Sequence, residues 1–433
     1  MPMRFPVGCR GFPREEKVET MRWLIIEDSL ESRRGHWFEY MEDFCRALPK
    51  IGDEVTLLVS WRAEPFILKQ LGALPCLPES AYLKMSDGST AWRRYVRIPI
   101  HAWKTFWSVR RHLRTAPAAE VIFVPTVIVH HLLAWVLLVK LCLPAESRVL
   151  LFFPGLPIRK YGKKDSLDGS PTSKLLRKLL SLLTSEIRAG KVILGVETHA
   201  MKSAAEKVFG VPFTYFPHPV QPNEASPAAD NLNLLQASSL TIACYGPARH
   251  EKGSDVLAAS MDQYFKKNPA SRVQFVLQWL DDFTTPSGAI ARLPEGLRQH
   301  PRAEIVSRFF ADGEYSRRLA TTHVLVLPYL CSSYALRLSR VVIEAMVNGI
   351  PVVVTRGTTL AEQSEQFGAA VSCENENVES LVSAIETVER NYEALATKAR
   401  ERQARAREHF SVEHFRRMLL TIAPNCLARN ESL

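Results

Sequence analysis

The stretch that constrains this chain most is residues 334–355, YALRLSRVVIEAMVNGIPVVVT. Tyr334, Arg337, Ser339 and Arg340 make its start polar, and Val341, Val342, Ala345 and Met346 then share one side of a helix. Asn348-Gly349 stops that helix, because glycine just past a helix end takes the left-handed cap that other side chains resist. The β-branched run at 350–354 suits a parallel strand covered on both faces. Upstream, residues 324–328, VLVLP, read as another buried strand. The order is strand, polar loop, helix, strand. In such a unit the loop and the helix N-terminus lie at the carboxyl edge of a parallel sheet, where ligands bind.

At 433 residues the chain is too long for one core, so two or three domains are expected. Its 46% apolar and 23% charged residues mark it as globular rather than disordered. Eight cysteines are scattered without a CxxC pair, and they read as reduced thiols of a cytoplasmic protein with no zinc site. The net charge of +10 is unevenly placed: residues 101–191 hold 15 Lys and Arg against 5 Asp and Glu, an excess equal to the whole. Such a surface attracts an anionic partner: a membrane, a phosphate-bearing acceptor or nucleic acid. No zinc knuckle, RNP motif or helix-turn-helix signal supports the last.

In chain order, residues 1–20 read as a polar tail, with Met21 an alternative start. Residues 22–26 form a strand, Gly35-His36 opens a helix to about Leu48, and 55–59 form a second strand, an opening βαβ unit. Residues 101–114, HAWKTFWSVRRHLR, give at helical spacing an aromatic side (Trp103, Phe106, Trp107) and a basic side (Lys104, Arg110, Arg111, Arg114). Two placements stay open for it: lying on an anionic bilayer, or turning its aromatics into the core. The apolar run 126–143 carries His130, His131 and Lys140, so it reads as a buried connecting helix with structural histidines rather than a membrane span. Residues 120–125, 148–153, 191–196 and 213–216 read as strands, 156–172 as a basic loop, and 172–188 as a second basic amphipathic helix. The Pro-, Asn-, Ala- and Ser-rich residues 221–238 are a linker by composition. The expected division is a tail at 1–20, a first domain at 21–220, the linker at 221–238, a second domain at 239–410, and a crossing helix with tail at 411–433.

The run VVIEAMVNGIPVVVT resembles the signature of retaining glycosyltransferases of family 4, which have the GT-B fold. The resemblance implies an α/β protein of two Rossmann-like domains facing across a cleft, the first for the acceptor and the second for a nucleotide-diphosphate sugar. It puts Glu344 on the ribose, whose two hydroxyls a carboxylate can accept from. Residues 246–253, GPARHEKG, resemble the family's loop after the first strand of the nucleotide domain. Gly246 and Lys252-Gly253 match it; Pro247 stands where the family has Arg, and Arg249 replaces that cation. Two cations at a strand-to-helix turn suit a diphosphate, holding it and neutralising its charge as it leaves. Lys252 and Arg249 are thus the catalytic candidates, with Glu344, Gly246, Ser339, Arg337 and Tyr334 on the donor nucleotide. Gly35 and His36 match in position a family loop that faces the cleft on the acceptor side. The sequence departs from the family at Leu336, where a sugar-contacting Glu is usual, and its Y-x-x-R-x-S run resembles a variant branch.

The implied reaction moves a sugar from its nucleotide to an acceptor hydroxyl with retention, in polysaccharide or glycolipid synthesis. It needs no cofactor and no metal, since Lys and Arg supply the charge that Mg²⁺ supplies elsewhere, and residues 279–282, WLDD, are not a D-x-D metal motif. The expected partners are a nucleotide sugar, a glycan, lipid-linked or small-molecule acceptor, and an anionic membrane surface met through residues 101–191, with the protein at the inner face of the membrane. Two rivals remain: a catalytically inactive GT-B protein that binds glycan or nucleotide as a scaffold, and another GT-B reaction such as epimerisation or phosphorolysis.

Overall fold

Among the described residues, short buried runs of Val, Ile, Leu and Phe alternate with helices, and these runs supply the strands of two parallel sheets. The computed structural model describes residues 20–33, 36–80, 91–161, 164–222 and 239–422. The first unit runs β1 (Arg22–Glu27), α1 (His36–Lys50), β2 (Glu54–Ser60), α2 (Pro65–Leu71), β3 (Leu74–Leu77), α3 (Ala91–Thr115), β4 (Val121–Val124), α4 (Val129–Leu141) and β5 (Arg148–Phe153). A hairpin of β6 (Ile158–Tyr161) and β7 (Lys164–Leu167) follows, then α5 (Pro171–Leu182), α6 (Thr184–Arg188), β8 (Val192–Val196), α7 (His199–Phe209) and β9 (Thr214–Tyr215). Its sheet has seven strands in the order β3-β2-β1-β4-β5-β8-β9. Order reverses at β1, and right-handed crossovers then put α1 and α2 on one face and α3, α4 and α5 on the other. The packing agrees: Phe44 of α1 lies in one buried cluster, while Phe106 of α3, Trp135 of α4 and Leu176 of α5 lie in the other.

The second unit runs β10 (Leu240–Cys244), a 3₁₀ turn (His250–Lys252), α8 (Ser254–Lys267), β11 (Val273–Gln278), the short hairpin β12 (Phe283–Thr284) with β13 (Ile290–Ala291), α9 (Glu295–Arg298), β14 (Ala303–Val306) and α10 (Glu314–Ala320). Then come β15 (Val324–Leu327), α11 (Cys331–Tyr334), α12 (Arg340–Val347), β16 (Val352–Thr355), α13 (Thr359–Phe367), β17 (Ala370–Cys373) and α14 (Val378–His409). Six strands pair in the order β14-β11-β10-β15-β16-β17. The strand–loop–helix–strand unit read first from the sequence is β15, α11, α12 and β16, with β15 and β16 adjacent and parallel. Asn348 closes α12 and Gly349 follows at φ +68°.

The last helix, α15 (Val412–Thr421), returns to the first unit. Val412, Phe415 and Leu419 sit in the first unit's core, with the Phe415 ring 4.7 Å from Phe216 and 5.1 Å from Phe44. Arg416 forks onto Asp53 at 2.7 and 2.9 Å, both side chains almost fully buried.

Several elements depart from the sequence reading. Helix α3 begins at Ala91 rather than 101 and carries Pro99 inside it. The expected loop at 156–172 contains the β6–β7 hairpin, and the helix expected at 172–188 is divided at Leu183. Helix α2 and strand β3 had no reading, being too short for periodicity to register. Most of the 221–238 linker lies outside the described residues. Among the described residues no helix is long and apolar enough to cross a membrane, and all six described cysteines are free thiols.

Candidate active site

The loop after β10 and the segment after β15 are built as one assembly. Gly246 takes φ +93° and donates its N–H to Gln278 Oε1 at 2.7 Å. Residues 250–252 make a single 3₁₀ turn, ended by Gly253 at φ +63°. A Cβ on Gly253 would stand 2.1 Å from the Pro328 carbonyl oxygen, so only glycine lets this turn lie against the end of β15. Leu330 N–H closes the contact by donating to the Glu251 carbonyl at 3.0 Å.

Lys252 is set inside this assembly. Its Nζ lies 5.9 Å from the centre of the Tyr329 ring, and a Cβ on Gly246 would fall 2.6 Å from it. Burial holds its pKa below the ordinary lysine value, with Arg249 pressing the same way. A desolvated cation of this kind gains most from an incoming anion. Arg249 is exposed at the rim, its guanidinium 3.6 Å from Glu251. The Tyr329 and Tyr334 rings are 4.6 Å apart, and burial raises the Tyr334 phenol above its usual value.

Between the two units lies a cleft of about 380 Å³. Leu156, Ile158 and Met201 line it from the first unit, and Cys331, Ser333, Arg337 and Gly357 are among its lining on the second. Leu336 crosses this gap. Its side chain is buried in the first unit's core cluster, and its carbonyl accepts from Thr198 Oγ1 at 2.7 Å. At the position where a carboxylate was expected from the resemblance, the chain has an apolar anchor between its domains. Arg337 beside it is exposed and lines the cleft, while its own carbonyl is held by the Thr359 hydroxyl.

Glu344 lies next door, in a buried ionic network that joins the two units. It accepts from the Tyr315 hydroxyl and from Arg340 Nε at 3.0 Å, one helical turn away. Arg340 reaches across to α1, 3.1 Å from Asp43 and 3.4 Å from Glu39, and lies 3.4 Å from His218. His218 in turn bonds Glu197 at 2.7 Å and stacks on Tyr40 with ring centres 4.2 Å apart. Burial would lower the Arg340 pKa, but Asp43 and Glu344 beside it hold it above the ordinary arginine value. Burial pushes the Asp43 carboxyl up to about 7 in spite of Arg340. Glu344 keeps further lone pairs, so a ribose hydroxyl can still be accepted at this carboxylate. Ser339, buried, precedes the first turn of α12 and offers no side-chain cap to it.

Of the residues singled out from the sequence, Arg337 lines the cleft and Glu344 sits in the ionic network. Gly246 and Lys252 pack together beside Tyr329, whose ring meets that of Tyr334, while Ser339 is buried and Arg249 exposed. Gly35 lies outside the described residues, and His36 is the first residue of α1. The sequence reading missed Asp43, Glu39, Tyr315, His218 and Glu197. The spacing of Arg340 and Glu344 was a usable local signal; their partners on α1 come from nearly 300 positions away and leave none.

A second cluster sits beneath β1 and β4, where ligand atoms of Asp28, His101 and His131 lie within 4.8 Å of one another. His131 Nδ1 accepts from the Ile128 N–H at 3.3 Å, which puts the ring proton on Nε2, aimed at Asp28 Oδ2 at 2.9 Å. That tautomer donates a hydrogen bond and does not ligate. Glu27 next to it accepts from Thr126 Oγ1 at 2.6 Å, and burial pushes its carboxyl up to about 7.

Residues 239–391 match the family model described as Glycosyl transferases group 1. No curated protein matches the chain. Solved structures match over nearly the full length of both chains. A sucrose-phosphate synthase from Thermosynechococcus elongatus superposes with a TM-score of 0.62 at 15% identity, covering 93% of this chain and 98% of that one. A glycosyltransferase from Rickettsia africae gives 0.62 at 12% identity, covering 94% and 99%. Anabaena HepE in complex with UDP-glucose gives 0.58 at 14% identity, covering 93% and 98%. The chain therefore has the GT-B fold, two parallel-sheet α/β domains, and its residues 239–391 are similar to glycosyl transferases group 1.

Proposed function

We propose that this protein transfers a sugar from a nucleotide-diphosphate sugar to an acceptor hydroxyl, with retention at the anomeric carbon. One observation carries the reading: a desolvated Lys252, held by two left-handed glycines against the end of β15, the strand from which the chain runs on to Arg337, exposed in the interdomain cleft. Lys252 and Arg249 would take the diphosphate, Glu344 the ribose, and Arg337 with the Ser339–Arg340 amides the phosphate or sugar. The bond from the anomeric carbon to the phosphate oxygen breaks, and the bond to the acceptor oxygen forms on the same face. The acceptor proton passes to the departing phosphate. Two cations stabilise that leaving group, so the reaction runs without a metal or other cofactor. The acceptor we propose is a glycan or a lipid-linked sugar, in polysaccharide or glycolipid synthesis at the cytoplasmic side of a membrane; the basic stretch 101–191 supports it.

The test is thermal stabilisation by UDP, GDP and ADP and their sugars. UDP-glucose comes first, because Anabaena HepE is seen with it. One nucleotide should raise the melting temperature, and Lys252→Ala should weaken it about ten- to a hundredfold, the loss of one charged hydrogen bond. Indifference to every nucleotide overturns the reading. A second reading rests on Leu336, which gives the donor sugar no acceptor group: nucleotide binding without sugar release, with or without acceptors, would make the protein a scaffold that kept the fold.

A further inference from the structure

We infer that helix α3 docks the protein on an anionic lipid surface. The inference is independent of the transfer reaction. An ordinary domain helix has one apolar stripe, facing the core. Helix α3 has two. Ile98, Ala102, Thr105, Phe106 and Val109 are buried against the sheet and α4. On the opposite side Val96, Ile100, Trp103 and Trp107 recur at spacings of four, three and four, and are 48, 51, 58 and 43% exposed. The core therefore claims Phe106 and leaves both tryptophans outside, which divides the aromatic set that the sequence had kept together.

The stripe is built rather than frayed. The Trp103 and Trp107 rings meet edge to face at 5.4 Å, and the Arg110 guanidinium lies 4.8 Å from the centre of the Trp107 ring. Lys104, Arg111 and Arg114 flank it, exposed. Within its 25 residues α3 carries seven Lys and Arg and no Asp or Glu. The neighbouring helix extends the character, with Leu137 and Leu141 exposed beside Lys140.

This combination selects the occupant. An apolar stripe alone would suit another protein, and cations alone would suit any polyanion. Tryptophans at a stripe's centre with cations along both sides match a bilayer whose headgroups are anionic, where indole rings sit at the headgroup level and lysine and arginine reach phosphate. Docked so, α3 lies flat on the surface, and the first domain is brought against the lipid.

Co-sedimentation with vesicles tests this, using phosphatidylcholine alone and phosphatidylcholine with phosphatidylglycerol, at low and high salt. Wild type should bind only the anionic vesicles and release as salt rises. Trp103→Ala/Trp107→Ala should bind about tenfold more weakly or worse, the loss of two buried aromatic contacts, with an unchanged melting temperature because both residues are exposed. Arg111→Gln and Arg114→Gln should each weaken binding about fivefold. No binding to anionic vesicles at low salt overturns the proposal. Wild-type binding by the double tryptophan variant overturns it too, since adsorption would then belong to basic residues elsewhere. Light scattering that shows a dimer lost in that variant would assign the stripe to a second copy of the chain instead.

Discussion

Replacing Arg416 tests whether the returning helix α15 is fastened to the first domain by the ion pair at its centre. Arg416 Nε and Nη2 reach Asp53 at 2.7 and 2.9 Å, and their side chains are 8% and 0% exposed. Asp53 also accepts from the Met21 N–H at 3.0 Å and from Trp23 Nε1 at 2.8 Å. Breaking a buried pair by removing one partner costs about 3–5 kcal/mol. In Arg416→Met the carboxylate keeps its two N–H donors, so the loss should sit near the lower end, about 3 kcal/mol. In Asp53→Ala a buried guanidinium and two N–H groups lose this acceptor together, so the loss should reach about 5 kcal/mol or more. For a unit of this size each kcal/mol moves the melting temperature by about 2–4 °C. Differential scanning calorimetry of both variants and of Asp53→Ala/Arg416→Met gives the coupling between them. Both single variants should also be cut earlier by a protease near residue 411, where α14 hands over to α15. If Arg416→Met melts within about 2 °C of wild type, or if Asp53→Ala is the milder change, the pair does not hold the helix and the reasoning fails.

Two glycines of the loop after β10 should behave differently. Gly253→Ala puts a Cβ onto the Pro328 carbonyl at φ +63°, so it should lower the melting temperature and nucleotide binding together, with at least the roughly 1 kcal/mol of left-handed strain. Gly246→Ala carries left-handed strain too, at φ +93°, but its Cβ meets only the flexible end of Lys252, so it should destabilise less than Gly253→Ala while still weakening nucleotide affinity by calorimetry. Arg340→Met leaves Asp43 and Glu344 facing each other across the domains; it should cost about 3–5 kcal/mol, read by chemical denaturation. Burial raises the Glu27 and Asp43 carboxyls to about 7, so both bind protons more tightly in the folded chain. Their stabilising effect is full below the ordinary carboxylate value of about 4 and is lost as pH rises toward 7, by up to about 1.4 kcal/mol per pH unit for each. Urea unfolding between pH 5 and 8 should show that decline, and Glu27→Gln should flatten it.

The central strand–loop–helix–strand unit was legible because its signals are local: β-branched runs for β15 and β16, helical spacing in α12, and glycine at its stop. The loop holding Lys252 was legible for the same reason. What the sequence could not supply were partners brought by topology. Asp43 and Arg340 meet only because α1 and α12 face each other across the domains. Leu336 read as a missing carboxylate; its role as an anchor depends on Thr198, 138 positions away. Helix α3 showed the limit of periodicity, which finds an apolar stripe but cannot tell which of two stripes the core will take.

The bridge at Leu336 has a thermodynamic consequence. Its side chain belongs to the core of one domain and its backbone to the loop by which the other lines the cleft. Any motion that widens the gap must therefore reshape that cleft. The affinity of any ligand of that cleft and the interdomain angle are then linked quantities, and the linkage is reciprocal: a ligand that prefers one angle is strengthened by whatever else holds it, by the same factor in both directions.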